Sequence, residues 1–198
     1  MWFRVLALAA AFAFSAGASQ AAAPTVASKA ATASDGFVAG LIDQHGAPVK
    51  AQRLVGKPSI VHFGFTHCPE VCPTTLNAVA GLMQQLGELA DQINFVFVTV
   101  DPERDTADVL KQYIAHFDNR IIALTGSTEA IAAVARAFKT SFAKRPNKDG
   151  SGYSMDHAIF AFLKDRNWKT VSTLYLGSGA NRELVKKRLK GLLSKTGS

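Results

Sequence analysis

Two apolar runs separated by the length of one helix constrain this chain more than any other feature. Ser59-Ile-Val-His-Phe-Gly-Phe65 and Ile93-Asn-Phe-Val-Phe-Val-Thr-Val100 are too short to span a membrane and read as strands, the second of them deeply buried. Between them Leu76, Val79, Ala80, Met83 and Leu86 fall at helical spacing in a segment from Pro73 to about Leu89. Strand, crossover helix and strand form a parallel unit, and a sheet of that kind needs helices over both faces. The rest of the chain continues the alternation. Asp105 or Thr106 caps a helix to His116, Ile121–Thr125 is a strand, and Ser127 or Thr128 opens a helix through Phe138. Ala158–Leu163 and Trp168–Tyr175 form a hairpin about the turn 164–167, followed by a basic helix capped by Asn181. Near the start, Phe37–Ile42 and Ala47–Val49 read as a short hairpin turning at Gly46. The expected fold class is therefore α/β, a mixed central sheet with flanking helices and an N-terminal β-hairpin.

Composition limits what this sheet belongs to. With 48% hydrophobic and 19% charged residues in 198, the chain has enough apolar material for one globular domain and too little charge for disorder. The first 34 residues read differently. Met1–Ala23 has the pattern of a signal peptide: Arg4, an apolar stretch Val5–Phe14, and small residues at Ser19-Gln-Ala21 or Ala21-Ala-Ala23 for cleavage. An uncleaved membrane anchor is the alternative. Pro24–Ser34 is Ala/Ser/Thr-rich and reads as a flexible leader, with the folded domain at residues 35–198. The expected location is periplasmic or otherwise exported.

Charge is distributed unevenly. Residues 24–138 carry 8 basic and 11 acidic side chains, whereas residues 139–198 carry 13 and 4. In the last helix Val185, Leu189, Leu192 and Leu193 form an apolar stripe, with Lys186, Lys187 and Lys190 largely off it, the pattern of a solvated helix face. Nucleic acid is not an expected partner of an exported protein, and membrane contact is at most peripheral.

Export gives the two cysteines, Cys68 and Cys72, their meaning. A disulfide closing so short a loop would add little stability, because that contribution grows with loop length, so the pair is expected to be chemical. Each cysteine precedes a proline, which disfavours helical backbone, and Pro73 suits a first helical position. Cys72 is thereby expected at the helix N-cap, where the positive end of the dipole favours thiolate. Three residues lie between the cysteines, one more than in a thioredoxin-type motif, leaving room for both sulfurs to face one ion.

Topology suggests the third donor. If the two apolar strands are parallel, their carboxyl ends open on one sheet edge, with Asp101 beside the cysteine loop. His157 immediately precedes the strand Ala158–Leu163, and an antiparallel course would bring it to the same edge. Two sulfurs and one imidazole suit copper, as three-coordinate Cu(I) or as Cu(II) with a further oxygen, better than structural zinc with its four protein ligands. Asp156 could orient His157. His67 ranks below His157 as a ligand, Met155 reads as a packing residue, and His62 as a packed or surface-facing strand residue.

Four segments, Gly64-Phe-Thr-His-Cys-Pro-Glu-Val-Cys-Pro73, Val100-Asp-Pro-Glu-Arg-Asp-Thr106, Leu124-Thr-Gly126 and Tyr153-Ser-Met-Asp-His157, together resemble the SCO/SenC family of thioredoxin-like copper proteins over roughly Phe37–Leu193. The resemblance implies a thioredoxin-like fold and copper ligation by Cys68, Cys72 and His157. It implies delivery of copper to the CuA centre of cytochrome c oxidase, or reduction of the thiols of that site. The implied partners are a copper-accepting enzyme and a thiol reductant, with Asp101 and Asp156 near the ligands or at a docking surface. A metal-free thiol–disulfide oxidoreductase using Cys68 and Cys72 is the competing reading. Many relatives carry an N-terminal membrane helix, whereas this chain reads as having a cleavable signal.

Overall fold

The computed structural model describes residues 35–177 and 179–194; the expected signal segment and leader, residues 1–34, lie outside the described residues. After a 3₁₀ turn at Asp35–Phe37 comes strand β1, Leu41–Asp43. The expected hairpin is present in shortened form: Asp43 N–H donates to Ala47 (2.9 Å) and Val49 N–H to Leu41 (3.0 Å), with one bridge at Ile42 and Pro48. Gly46 at φ 76° supplies the left-handed residue of this turn.

The parallel unit follows. Strand β2, Ser59–Gly64, leads to helix α1, Val71–Leu86, and then to strand β3, Asn94–Thr99. β2 and β3 pair in parallel from Ser59 with Asn94 to Gly64 with Thr99, and every residue of both strands is buried. Helix α2, Ala107–Ala115, is capped by Thr106, whose hydroxyl accepts from Val109 N–H. Strand β4, Ile122–Gly126, adds in parallel to β3 and antiparallel to β1. Ser127 caps helix α3, Thr128–Ala137, in the same way.

The next elements depart from expectation. Phe142–Pro146 (β5) and Tyr153–His157 (β6) form an antiparallel ribbon apart from the main sheet. Its tip is held by Asn147 N–H donating to Gly152, and Gly150 and Gly152 both adopt positive φ. His157 therefore ends a strand of its own. Strand β7 starts at Ala161, runs to Lys164 antiparallel to β2, and pairs with β8, Thr170–Leu174. Helix α4, Gly179–Ser194, closes the fold. Asn181 sits inside it and donates through Nδ2 to Tyr175 O (2.8 Å), so it ties the helix to the preceding loop instead of capping it.

The main sheet has the order β1-β4-β3-β2-β7-β8, mixed in direction. Gly64 of β2 faces Cys72 of α1, and Phe97 of β3 meets Tyr113 of α2, so α1 and α2 cover one face. Phe63 points to the other, where its ring meets Phe138 at the end of α3 at 5.2 Å. Phe63 and Phe97 are almost wholly inaccessible, and burying side chains of this size contributes roughly 1.5–3 kcal/mol each. Among the described residues no helix is long and apolar enough to cross a membrane.

Candidate metal centre

The cysteine loop starts where β2 ends. Cys68 N–H donates to Phe65 O (3.2 Å), and Val100 N–H to Gly64 O (2.8 Å), which turns the chain outward at the carboxyl edge of the sheet. The helix begins earlier than the prolines suggest: Glu70 is the N-cap, so Cys72 is the second helical residue and Pro73 the third. The missing N–H of Pro73 still costs nothing, because the first turn has no intrahelical acceptors for its N–H groups. The first helical bond runs from Thr74 N–H to Glu70 O (3.2 Å).

This shift changes which sulfur is charged. Cys72 N–H points at Cys68 Sγ, at 3.4 Å. The side chain of Cys72 also donates to that sulfur; burial opposes ionisation, but hydrogen bonds from His157 and from the backbone of Cys72 and Glu70 assist it, so Cys68 falls to about 3. Cys72, fully buried, goes the other way: its bond to Cys68 and its burial push its thiol well above the ordinary range. The helix end thus stabilises a thiolate, but on Cys68 and not on Cys72 as expected.

His157 arrives from β6. Its Nε2 lies 3.7 Å from Cys72 Sγ, and the three donor atoms of Cys68, Cys72 and His157 all lie within 4.8 Å of one another. Nδ1 sits 2.9 Å from Ala158 O, an acceptor, so Nδ1 keeps its proton in either charge state, and Nε2 faces the sulfurs, carrying the imidazolium's second proton and offering a lone pair once that proton is lost. Burial opposes the imidazolium, but the bonds to Cys68 and Ala158 O hold the His157 pKa above its ordinary value. Three donors around an ion at ~2.0–2.3 Å would stand roughly 3.5–4 Å apart, so this cluster needs only a small contraction. Gly64 makes room for it: a Cβ there would stand 2.6 Å from Cys72 Sγ and 2.7 Å from the Phe97 ring.

The other expected residues lie around this cluster, His67, Met155 and His62 as expected and Asp101 and Asp156 with partners of their own. Asp101, buried, accepts from Arg104 Nε and from the Tyr153 hydroxyl (3.0 Å), and so reaches toward β6. The cysteine loop is held instead by Asp105, which accepts from Thr66 N–H (3.0 Å), Thr66 Oγ1 (2.6 Å) and Thr99 Oγ1 (2.6 Å). Asp156 lies exposed in an ion pair with Arg145, while His157 takes its orientation from Ala158 O. His67 is exposed beside Thr66 Oγ1 and outside the cluster, and Met155 is core. His62 is packed, its ring centre 6.1 Å from that of His157. Arg104, Tyr153, Thr66 and Thr99 are not singled out by the sequence, and Asp105 only as a helix cap; the Asp-Pro-Glu-Arg-Asp-Thr run is the signal for Arg104 and Asp105, and the cysteine and Tyr-Ser-Met-Asp-His segments contain Thr66 and Tyr153.

A family model described as SCO1/SenC matches residues 28–194. This chain belongs to the SCO1/SenC family. SCO2-like protein RP587 of Rickettsia prowazekii is 40% identical over 141 residues, covering 71% of this chain and 69% of that protein. The copper-bound structure of Bradyrhizobium japonicum ScoI is 38% identical with a TM-score of 0.71, covering 77% of this chain and 96% of that one. Copper-bound yeast Sco1 is 29% identical with a TM-score of 0.69, covering 80% and 87%. The thioredoxin-like α/β fold of the SCO1/SenC proteins is therefore the fold of this chain.

Proposed function

We propose that this protein is an exported copper carrier in which Cys68, Cys72 and His157 bind one copper ion as cargo. Cu(I) would be three-coordinate, and Cu(II) would take a further oxygen ligand. The recipient is the CuA site of cytochrome c oxidase or a related copper enzyme. The observation that carries this reading is the convergence of two sulfurs and one imidazole nitrogen within 4.8 Å. Soft thiolates with one imidazole favour copper over harder ions. Membership of the SCO1/SenC family, with copper present in the ScoI and Sco1 structures, supports the choice of metal. Asp156, exposed beside the ligand His157, is available to a docking partner.

Loading requires both sulfurs reduced. A Cys68–Cys72 disulfide offers no thiolate, so a dithiol reductant must first supply two electrons and two protons. Copper is titrated into reduced wild type, His157→Ala and oxidised protein. One tightly held copper in the first, weakened binding in the second and none in the third is the expected result. Unchanged binding in His157→Ala removes His157 from the site.

A second reading is favoured by the charge on Cys68. This thiolate, just accessible in front of a buried thiol, can attack a target disulfide and form a mixed disulfide as it expels the target's other sulfur as thiolate. Cys72, once deprotonated, then attacks Cys68, releasing the reduced target and leaving the Cys68–Cys72 disulfide. Turnover of a disulfide substrate without metal would select this activity.

A further inference from the structure

We infer that Arg104 and Tyr153 form a clamp that positions His157 for the two cysteines, separate from the fastening of the cysteine loop; this rests on the metal-binding reading proposed above. Cys68 and Cys72 belong to the continuous β2–α1 stretch, whereas His157 stands at the end of the β5–β6 ribbon, outside the main sheet. A two-stranded ribbon is marginal by itself, so whatever grips it sets where the imidazole lies.

The grip is on Tyr153, the first residue of β6. Its hydroxyl donates to Asp101 Oδ1 (3.0 Å), and its carbonyl accepts from Arg104 Nη1 (3.1 Å). The Arg104 guanidinium stands 3.9 Å from the centre of the Tyr153 ring and is anchored through Nε by Asp101. On another side it lies 5.8 Å from the Phe65 ring. Phe65 in turn meets the His157 imidazole edge-on, with centres 5.6 Å apart at 84°. Arg104 therefore touches both the strand that carries His157 and the ring against which that imidazole packs. The side chain of Asp105, four residues beyond Asp101, bonds to Thr66 and Thr99. One loop, between β3 and α2, holds the two ligand carriers through two different carboxylates, which Thr99 Oγ1 links by donating to Asp105 and accepting from Asp101 N–H (2.9 Å).

The test is a double-mutant cycle on Cu(I) affinity, measured by competition with a chromophoric chelator. Arg104→Met should weaken binding roughly ten- to hundredfold in the wild-type background, the usual loss when a group orienting a ligand is removed. In the His157→Ala background the same change should alter affinity less than about twofold. Asp105→Asn should weaken binding equally in both. Tyr153→Phe, which keeps the ring and drops the hydroxyl, should show the same background dependence with a smaller loss, and it carries the cycle if Arg104→Met does not fold. Equal losses from the clamp variants in both backgrounds would overturn the inference.

A metal-free readout separates failure of the clamp from failure of the copper reading. Long-range ¹H–¹⁵N spectra of His157 should show one sharp Nδ1-protonated imidazole in wild type and a broadened or shifted one in Tyr153→Phe, with the Cys68 and Cys72 Cβ resonances unmoved. If His157→Ala leaves copper affinity unchanged, the copper reading fails and these spectra still decide the clamp. An unaltered His157 spectrum in both clamp variants overturns it.

Discussion

The two ends of β2 bury ionisable side chains in opposite ways. At the amino end, Lys164, across from Ser59, puts its ammonium 3.0 Å from Thr170 Oγ1 and 4.6 Å and 5.5 Å from the ring centres of Phe138 and Trp168. Phe37 stacks on Trp168 at 4.8 Å and completes the aromatic wall. Burial lowers the Lys164 pKa, yet its charge has partners within the chain. At the carboxyl end, His62 is buried, and burial with the neighbouring His157 lowers its pKa to about 4, which keeps it neutral. Beside it the Cys68 thiolate, the Cys72 thiol and His157 Nε2 converge. One end gives its buried cation partners within the chain; the other holds three donors facing one point, the arrangement of a site that completes itself with a guest.

The largest effect that could break this contrast comes from the sulfurs. Cys72→Ala should abolish stoichiometric copper loading, and the rise in melting temperature that copper gives wild type should vanish with it, because only a ligand bound by the native state stabilises it. Calorimetry with and without copper checks both, and a persisting copper-induced shift would remove the guest from the carboxyl end. Next comes Gly64→Ala. Its added methyl would crowd Cys72 Sγ and the Phe97 ring, so urea unfolding should show a loss of about 1–3 kcal/mol, as for other overpacked cores.

A smaller effect tests the amino end. The cation–π contacts of Lys164 are worth roughly 1–2 kcal/mol when desolvated and offset the burial of its charge, so Lys164→Met should stay within about 1 kcal/mol of wild type at pH 7. The sign with pH is definite. Lys164 has a folded pKa below its unfolded value of 10.5, so between the two the unfolded chain binds more protons and wild-type stability gains with rising pH. The difference between wild type and Lys164→Met, followed by urea titrations from pH 8 to about 10.5, should therefore move in favour of wild type. The smallest effect belongs to Asp156→Asn. Its ion pair with Arg145 is exposed on both sides, and thermal unfolding should change by less than about 0.5 kcal/mol.

Much of the site was readable because its signals are local. Cysteines four apart before prolines mark a turn into a helix whichever fold surrounds them, and the β2–α1–β3 unit follows from side-chain periodicity. The helix start was read two residues late because proline was given the first position, although any residue of the first turn tolerates a missing N–H. The charge favours Cys68 chiefly because the Cys72 side chain donates to its sulfur, with His157 and the helix N–H groups assisting. The β5–β6 ribbon was missed because Phe142–Pro146 is exposed along most of its length, so its side chains alternate too weakly to mark a strand. The turn residues Asn147, Asp149 and Gly150 were the available clue.

Periodicity and capping residues acting over a few positions determined the β2–α1–β3 unit, the alternation that follows it and helices opening at Asp105 or Thr106 and at Ser127 or Thr128, whereas His157 as third donor came from topology and the family resemblance. Tertiary structure alone decided that His157 presents Nε2 to the sulfurs and that Asp101 and Asp105 fasten different ligand carriers. Each of these depends on groups 39 to 85 positions apart meeting within hydrogen-bond range. Such meetings are set by how the sheet and the ribbon close in space, and no local pattern encodes that closure.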